Sequence, residues 1–170
     1  MGDIIVVSGP PGVGKSSVAA ALVQRYEPGA LVEGDAFFAF LERGRIDPWL
    51  PESDPQNRAV LRAAAATCGR LAEWGTVVYD GVLWPPYADL FADEAGRRFH
   101  YAILLPPLEV CLDRVRNRVD HPFTDLDAAS SMWRSFAEAT TGLPTLTSLG
   151  TSTQLADEIA EAVQAGSLLR

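Results

Sequence analysis

Short, wholly apolar runs alternate along this chain with longer stretches in which apolar residues return every three or four positions. The first run, Ile4 to Val7, ends at Ser8-Gly9. A β-branched run of that length predicts a strand buried on both faces. A helix is expected from about Lys15 to Tyr26, with Val18, Leu22 and Tyr26 on one face. Ala30-Leu31-Val32 and Thr76 to Tyr79 predict the second and third strands, Phe99 to Leu105 the fourth and Thr145 to Leu149 the fifth. Between them lie helical patterns over Ala36–Glu42, Asp54–Trp74, Pro86–Ala95, Pro107–Val119, Leu126–Thr140 and a last one after Thr151–Thr153. Asp54 is placed to cap the longest of these, and Pro55 suits its first turn. Strands alternating with helices predict an α/β fold: a parallel sheet of about five strands with right-handed crossovers and helices on both faces.

Ligands of such sheets sit beyond the carboxyl ends of the strands. Ser8, Asp35, Asp80 and the loop after Leu149 should therefore gather on one edge. At 170 residues the chain predicts one domain, residues 1–170. The formal net charge of −8 argues against a nucleic-acid or membrane-surface partner, each of which wants a basic face. Cys68 and Cys111 fall on helical periods and predict buried, reduced thiols. No signal peptide and no apolar run long enough for a bilayer are visible, so a cytoplasmic protein is expected, as a monomer or homodimer.

The strongest local chemistry is Gly9-Pro10-Pro11-Gly12-Val13-Gly14-Lys15-Ser16, a complete G-x-x-x-x-G-K-S between a strand and a helix. Its glycines permit backbone conformations that turn successive N–H groups toward an anion, and the helix adds its own free N–H groups and dipole. Lys15 supplies a point charge for the β- and γ-phosphates of ATP, and Ser16 a hydroxyl for Mg²⁺. Ser17 is its neighbour in the same nucleotide-binding set.

Two carboxylates end strands. Asp80 closes the third, where Mg²⁺ is its natural partner and a turn before Gly81 the plainer role. Asp35 ends the second, where it can orient an acceptor hydroxyl or take its proton, or simply cap the helix that follows. Glu33 is the other carboxylate of that strand. Arg114 and Arg118 lie four apart on one helix face and can close over developing phosphoryl charge; Arg116 points elsewhere. His121 and Arg134 are candidate acceptor contacts, with Arg43, Arg45 and Arg58 in weaker positions. Gly81 and Trp84, after the third strand, suit one wall of an acceptor site, and Phe37, Phe38 and Trp49 the other.

These residues together resemble the small P-loop kinases: gluconate kinase, shikimate kinase and chloramphenicol phosphotransferase. The resemblance covers nearly the whole chain in element order and implies a three-layer P-loop NTPase fold. Gly34-Asp35 is similar to the Gly-Asp that ends the second strand of gluconate kinases, and Arg114 through Phe123 to their lid. Arg114, Arg118 and His121 are lid residues by that resemblance, in a short helical lid of about 114–134. Tyr79-Asp80-Gly81 looks closer to chloramphenicol phosphotransferase. Ala36-Phe37-Phe38 stands where gluconate kinases carry a His-Pro pair and Asn, which implies an acceptor less polar than a sugar acid, such as an antibiotic or a nucleoside-like compound.

The expected activity is transfer of the γ-phosphoryl group of Mg-ATP to a hydroxyl of a small-molecule acceptor. Competing readings are a nucleoside, nucleotide or polynucleotide-end kinase, and a nucleotide-dependent regulatory ATPase without an acceptor.

Overall fold

The computed structural model describes residues 2–117 and 124–170. Five parallel strands form one sheet: β1 (Ile4–Ser8), β2 (Gly29–Glu33), β3 (Thr76–Asp80), β4 (His100–Leu104) and β5 (Thr145–Leu146), in the order β2-β3-β1-β4-β5. β1 is central and every residue of it is buried. Its side chains alternate between two separate cores. Ile4 and Val6 face Leu61, Cys68, Phe91 and Phe136, whereas Ile5 and Val7 face Val18, Leu22, Leu155 and Ile159.

The helices that cover the two faces explain that division. α1 (Lys15–Val23) packs against α7 (Ser152–Gln164) on one side, and α3 (Asp54–Leu71) against α4 (Ala88–Ala95) on the other. α2 (Gly34–Phe38), α5 (Leu108–Arg116) and α6 (Leu126–Ala139) complete the described helices. None of the described helices is long and apolar enough to cross a membrane.

Several boundaries differ from expectation, each for a local reason. α1 ends at Val23, and Tyr26 packs from the turn beyond it. α2 stops at Phe38 because the following N–H groups bond three residues back, to Ala36, Phe37 and Phe38. Ser53, not Asp54, precedes α3 as its cap position, and Asp54 instead accepts a hydrogen bond from the Tyr87 hydroxyl. Residues Pro85–Tyr87 form a 3₁₀ turn before α4, as two consecutive prolines favour. β5 has two residues, and Leu149 is exposed. At α7, Thr151 and Gln154 make the reciprocal capping box. Both cysteines are buried free thiols.

His100, at the start of β4, is buried, and its Nδ1 has no partner. Burial lowers its pKa; Arg98 acts in the same direction and Asp3 opposes. The unfolded chain therefore binds the proton more readily, and stability is lost as pH falls below the ordinary value of 6.5. Thermal melts of the wild type and His100→Phe between pH 5 and 8 check this: the variant should lose less stability than the wild type on acidification.

Candidate active site

The strand register brings the ends of three strands to one sheet edge. Val7 pairs with Asp80 and Glu33 with Asp80, so the ends of β1, β3 and β2 lie side by side. The chain leaving β1 forms the phosphate loop. Gly9, Gly12 and Gly14 all have positive φ, at 144°, 85° and 97°. At Gly12 space is also decisive, because a Cβ would lie 2.4 Å from the Cys111 carbonyl oxygen of α5. Pro10 and Val13 are buried and Pro11 half-buried, which fixes the loop to the core. Gly14 precedes α1 in the left-handed conformation and places no side chain over the first helical N–H groups, which stay available to an anion. Lys15 Nζ reaches back across the loop, donating to the carbonyls of Gly9 at 3.0 Å and Pro10 at 3.1 Å. Ser16 and Ser17 are exposed on the first turn.

Asp80 stands opposite Ser16. Burial raises its pKa above the usual carboxylate value, while a hydrogen bond from the Ser16 hydroxyl and the charge of Lys15 hold it down; Asp35 and Glu33 push it up again. A half-buried carboxylate beside a hydroxyl, at the mouth of an anion cradle, has the donor chemistry for Mg²⁺ shared with nucleotide phosphates. Among the described residues no cluster of three or more His, Cys, Asp or Glu could hold a metal by itself. A cation here would take its remaining ligands from phosphate and water.

On the other side of Asp80 lies a cavity of about 420 Å³, lined by Asp35 and Phe38 of α2, Trp49, Trp84 and Tyr87, and by Ser131 and Ser135 of α6. Asp35 is neither the end of β2, which stops at Glu33, nor the cap of α2, whose cap position is Glu33; it sits in the first turn of that helix. Phe38 turns into the cavity. Phe37, one position round a helix of five residues, packs on the core instead and meets Phe40 edge-on, so it is not a wall. Trp84 is braced by a perpendicular contact with Phe136 at 4.9 Å. Its loop is pinned from below: Ser8 Oγ donates to the Leu83 carbonyl at 3.0 Å and accepts from the Leu83 N–H at 2.9 Å, and the Tyr101 hydroxyl donates to the same carbonyl.

Tyr79 forms the floor. A Cβ on Gly34 would lie 2.4 Å from its hydroxyl oxygen, and one on Gly81 2.6 Å, so both glycines are required by the phenol between them. Gly81 therefore acts by leaving room and is itself buried. Burial first, then Cys68, Asp35 and Asp80, raise the Tyr79 pKa strongly and keep the phenol protonated as a hydrogen-bond donor.

The arginines divide. Arg114 lies against the phosphate loop, donating to the Val13 carbonyl at 3.0 Å and the Gly12 carbonyl at 3.4 Å. Arg116 pairs with Asp113 on the surface, as its position predicts. Arg118 and His121 lie outside the described residues. Arg134 is exposed and does not line the cavity; Ser131, Met132 and Ser135 are the residues of α6 that do. Tyr79, Asn57, Tyr87, Ser131, Met132 and Ser135 were not singled out from sequence. Only the Ser131–Ser135 spacing, two hydroxyls four apart on a helix, offered a signal.

The family model described as an AAA domain matches residues 4–143, from the start of β1 to beyond α6. The chain belongs to this AAA-domain family. No curated protein matches it in sequence. Solved structures similar to this AAA-domain protein include the tunicamycin resistance protein of Deinococcus radiodurans, 23% identical with a TM-score of 0.70, covering 99% of this chain and 98% of that one. A gluconokinase from Sinorhizobium meliloti 1021 is 22% identical with a TM-score of 0.71, over 98% of this chain and 93% of that one. A shikimate kinase from Acinetobacter baumannii, in complex with shikimate, is 17% identical with a TM-score of 0.70, over 99% and 96%. The resemblance to small P-loop kinases read from the sequence thus holds across the fold of this AAA-domain chain.

Two outcomes test this geometry. Asp80→Asn should melt at a higher temperature than the wild type at pH 7 without ligand, because it removes a carboxylate whose ionisation burial disfavours. That gain should vanish as pH falls below the ordinary value of 3.8, where the wild-type group is protonated in both states, and Mg²⁺-nucleotide affinity should drop at pH 7, where the wild-type carboxylate is charged. Ser8→Ala should cost about 1–3 kcal/mol in denaturant unfolding, since it leaves the buried Leu83 N–H without its acceptor.

Proposed function

We propose that this protein is a phosphotransferase that moves the γ-phosphoryl group of Mg-ATP to a hydroxyl of a small-molecule acceptor. The observation that carries the reading is the placement of Asp35. It lines the cavity on one side and lies near enough to Asp80, which faces Lys15 and Ser16, to raise the pKa of that carboxylate. A hydroxyl held in the cavity would have a carboxylate beside it and the phosphate loop before it. The names of the similar structures, two of them kinases, support the same chemistry.

In this reading the loop N–H groups and Lys15 hold the β- and γ-phosphates. Ser16 and Asp80 would hold Mg²⁺, which would supply charge neutralisation for the phosphates. Asp35 orients the acceptor hydroxyl and takes its proton as its oxygen bonds to the γ-phosphorus and the bond to the ADP oxygen breaks. Arg114 steadies the loop through its carbonyls and keeps positive charge behind it. Most of the rate enhancement comes from positioning and fixed charge. The buried free thiols suit the reducing cytoplasm.

ADP release across a panel of hydroxyl-bearing acceptors tests the proposal. Lys15→Ala should retain the wild-type circular dichroism and lose acceptor-dependent turnover; an active variant would sink the mechanism. Asp35→Asn should lower kcat by about 10²–10⁴-fold with little change in ATP affinity. Equal loss in both would assign Asp35 to the nucleotide side.

A further inference from the structure

We infer that the acceptor is an uncharged alcohol carrying a flat aromatic ring, and that the cavity discriminates against carboxylate-bearing acceptors. This rests on the phosphotransferase reading for its function, but its basis is the cavity alone. Among the described residues that line it, Asp35 carries the only formal charge, and that charge is negative. Two described arginines approach its rings without lining it: Arg45 lies over the Phe38 ring at 5.9 Å and Arg58 over the Tyr87 ring at 5.4 Å, both exposed. A carboxylate placed here would lose water and meet Asp35 with no countercharge among the described lining residues.

The cavity offers aromatic surface instead. Phe38, Trp49 and the Trp84–Tyr87 turn come from three separate stretches of chain, and Phe38, Trp49, Trp84 and Tyr87 converge on it. Trp84 is held rigidly by Phe136 and by the Ser8 clamp on Leu83, so a ring can stack on it without first ordering it. Polar groups are few: beside Asp35 they are chiefly the Tyr79 phenol and the Ser131 and Ser135 hydroxyls. Asn57 is already engaged, its Nδ2 donating to the Pro48 carbonyl at 2.7 Å and Ser53 Oγ at 2.8 Å. Neutral hydroxyls and a phenol match alcohol and carbonyl groups. The volume, about 420 Å³, lies within the range of about 300–1,000 Å³ usual for small-molecule sites and suits a compound the size of a nucleoside.

Matched pairs differing by one carboxylate test this directly. Uridine against its 6-carboxylated counterpart orotidine, and 2-phenylethanol against 4-(2-hydroxyethyl)benzoate, would be titrated calorimetrically into the full chain saturated with Mg-ADP. The uncharged member of each pair should bind at least tenfold more tightly. Trp84→Leu should weaken that binding about tenfold with Mg-ADP affinity unchanged, and Asp35→Asn should narrow the ratio within each pair. Equal or tighter binding of the carboxylates, or no binding of either uncharged compound, would overturn the inference. ADP release from Mg-ATP, measured on the same compounds, separates the two readings. Uncharged compounds that bind without being phosphorylated leave the inference standing and count against phosphotransfer. Carboxylates that are phosphorylated in preference leave phosphotransfer standing and overturn the inference.

Discussion

The backbone turn that leaves β1 is the constraint on which the rest of the site depends. β1 is buried along its whole length between β3 and β4, so its carboxyl end is the point where the chain must escape the core. It does so through a loop that presses against the Cys111 carbonyl of α5, with no room for a side chain at Gly12. Buried Pro10 and Val13 anchor the loop. The positive φ angles of Gly9, Gly12 and Gly14 are of the kind that lets successive N–H groups turn toward an anion.

Everything else is placed relative to that turn by strand register. Val7, Asp80 and Glu33 are level across three neighbouring strands. This brings Asp80 to Ser16 and Lys15 and leaves Asp35, two residues past Glu33, on the far side. A half-buried carboxylate is costly alone, and the raised pKa of Asp80 records its burial first and the nearby Asp35 and Glu33 charges after it. Lys15 and the Ser16 hydroxyl offset part of it, and a bound cation would offset more. The site is thus mildly destabilised until it is filled, as functional sites often are.

The cavity obeys a different logic. Its wall at Trp84 is not part of a strand or helix, yet it is fixed as firmly as one by Ser8, Tyr101 and Phe136, from three distant parts of the chain. Its floor is a tyrosine seated between two glycines. Among the described lining residues, aromatic surface beside one carboxylate favours shape and ring stacking over charge in choosing a ligand.

The sequence by itself determined the order of strands and helices, the phosphate loop and Asp80 at the end of β3, whereas Asp35, expected to end β2, falls in the first turn of α2. These are local signals: unbroken apolar runs, helical periods and a motif whose spacing is set by the turn it makes. Phe38, Trp49 and Trp84 were legible as walls because each follows a strand or a breaker on the acceptor edge. Phe37 was misplaced because residues one apart on a short helix face different ways, and only packing says which turns inward. Asp54 was expected to cap α3 and instead serves Tyr87, thirty-three positions away. Tyr79, Ser131 and Ser135 were passed over for the same reason. A tyrosine inside a strand reads as core, and serines on a helix read as surface, until tertiary structure turns them toward the same space. Contacts between residues far apart in sequence leave no period or spacing behind them, so the cavity's charge and shape were decided by the fold alone.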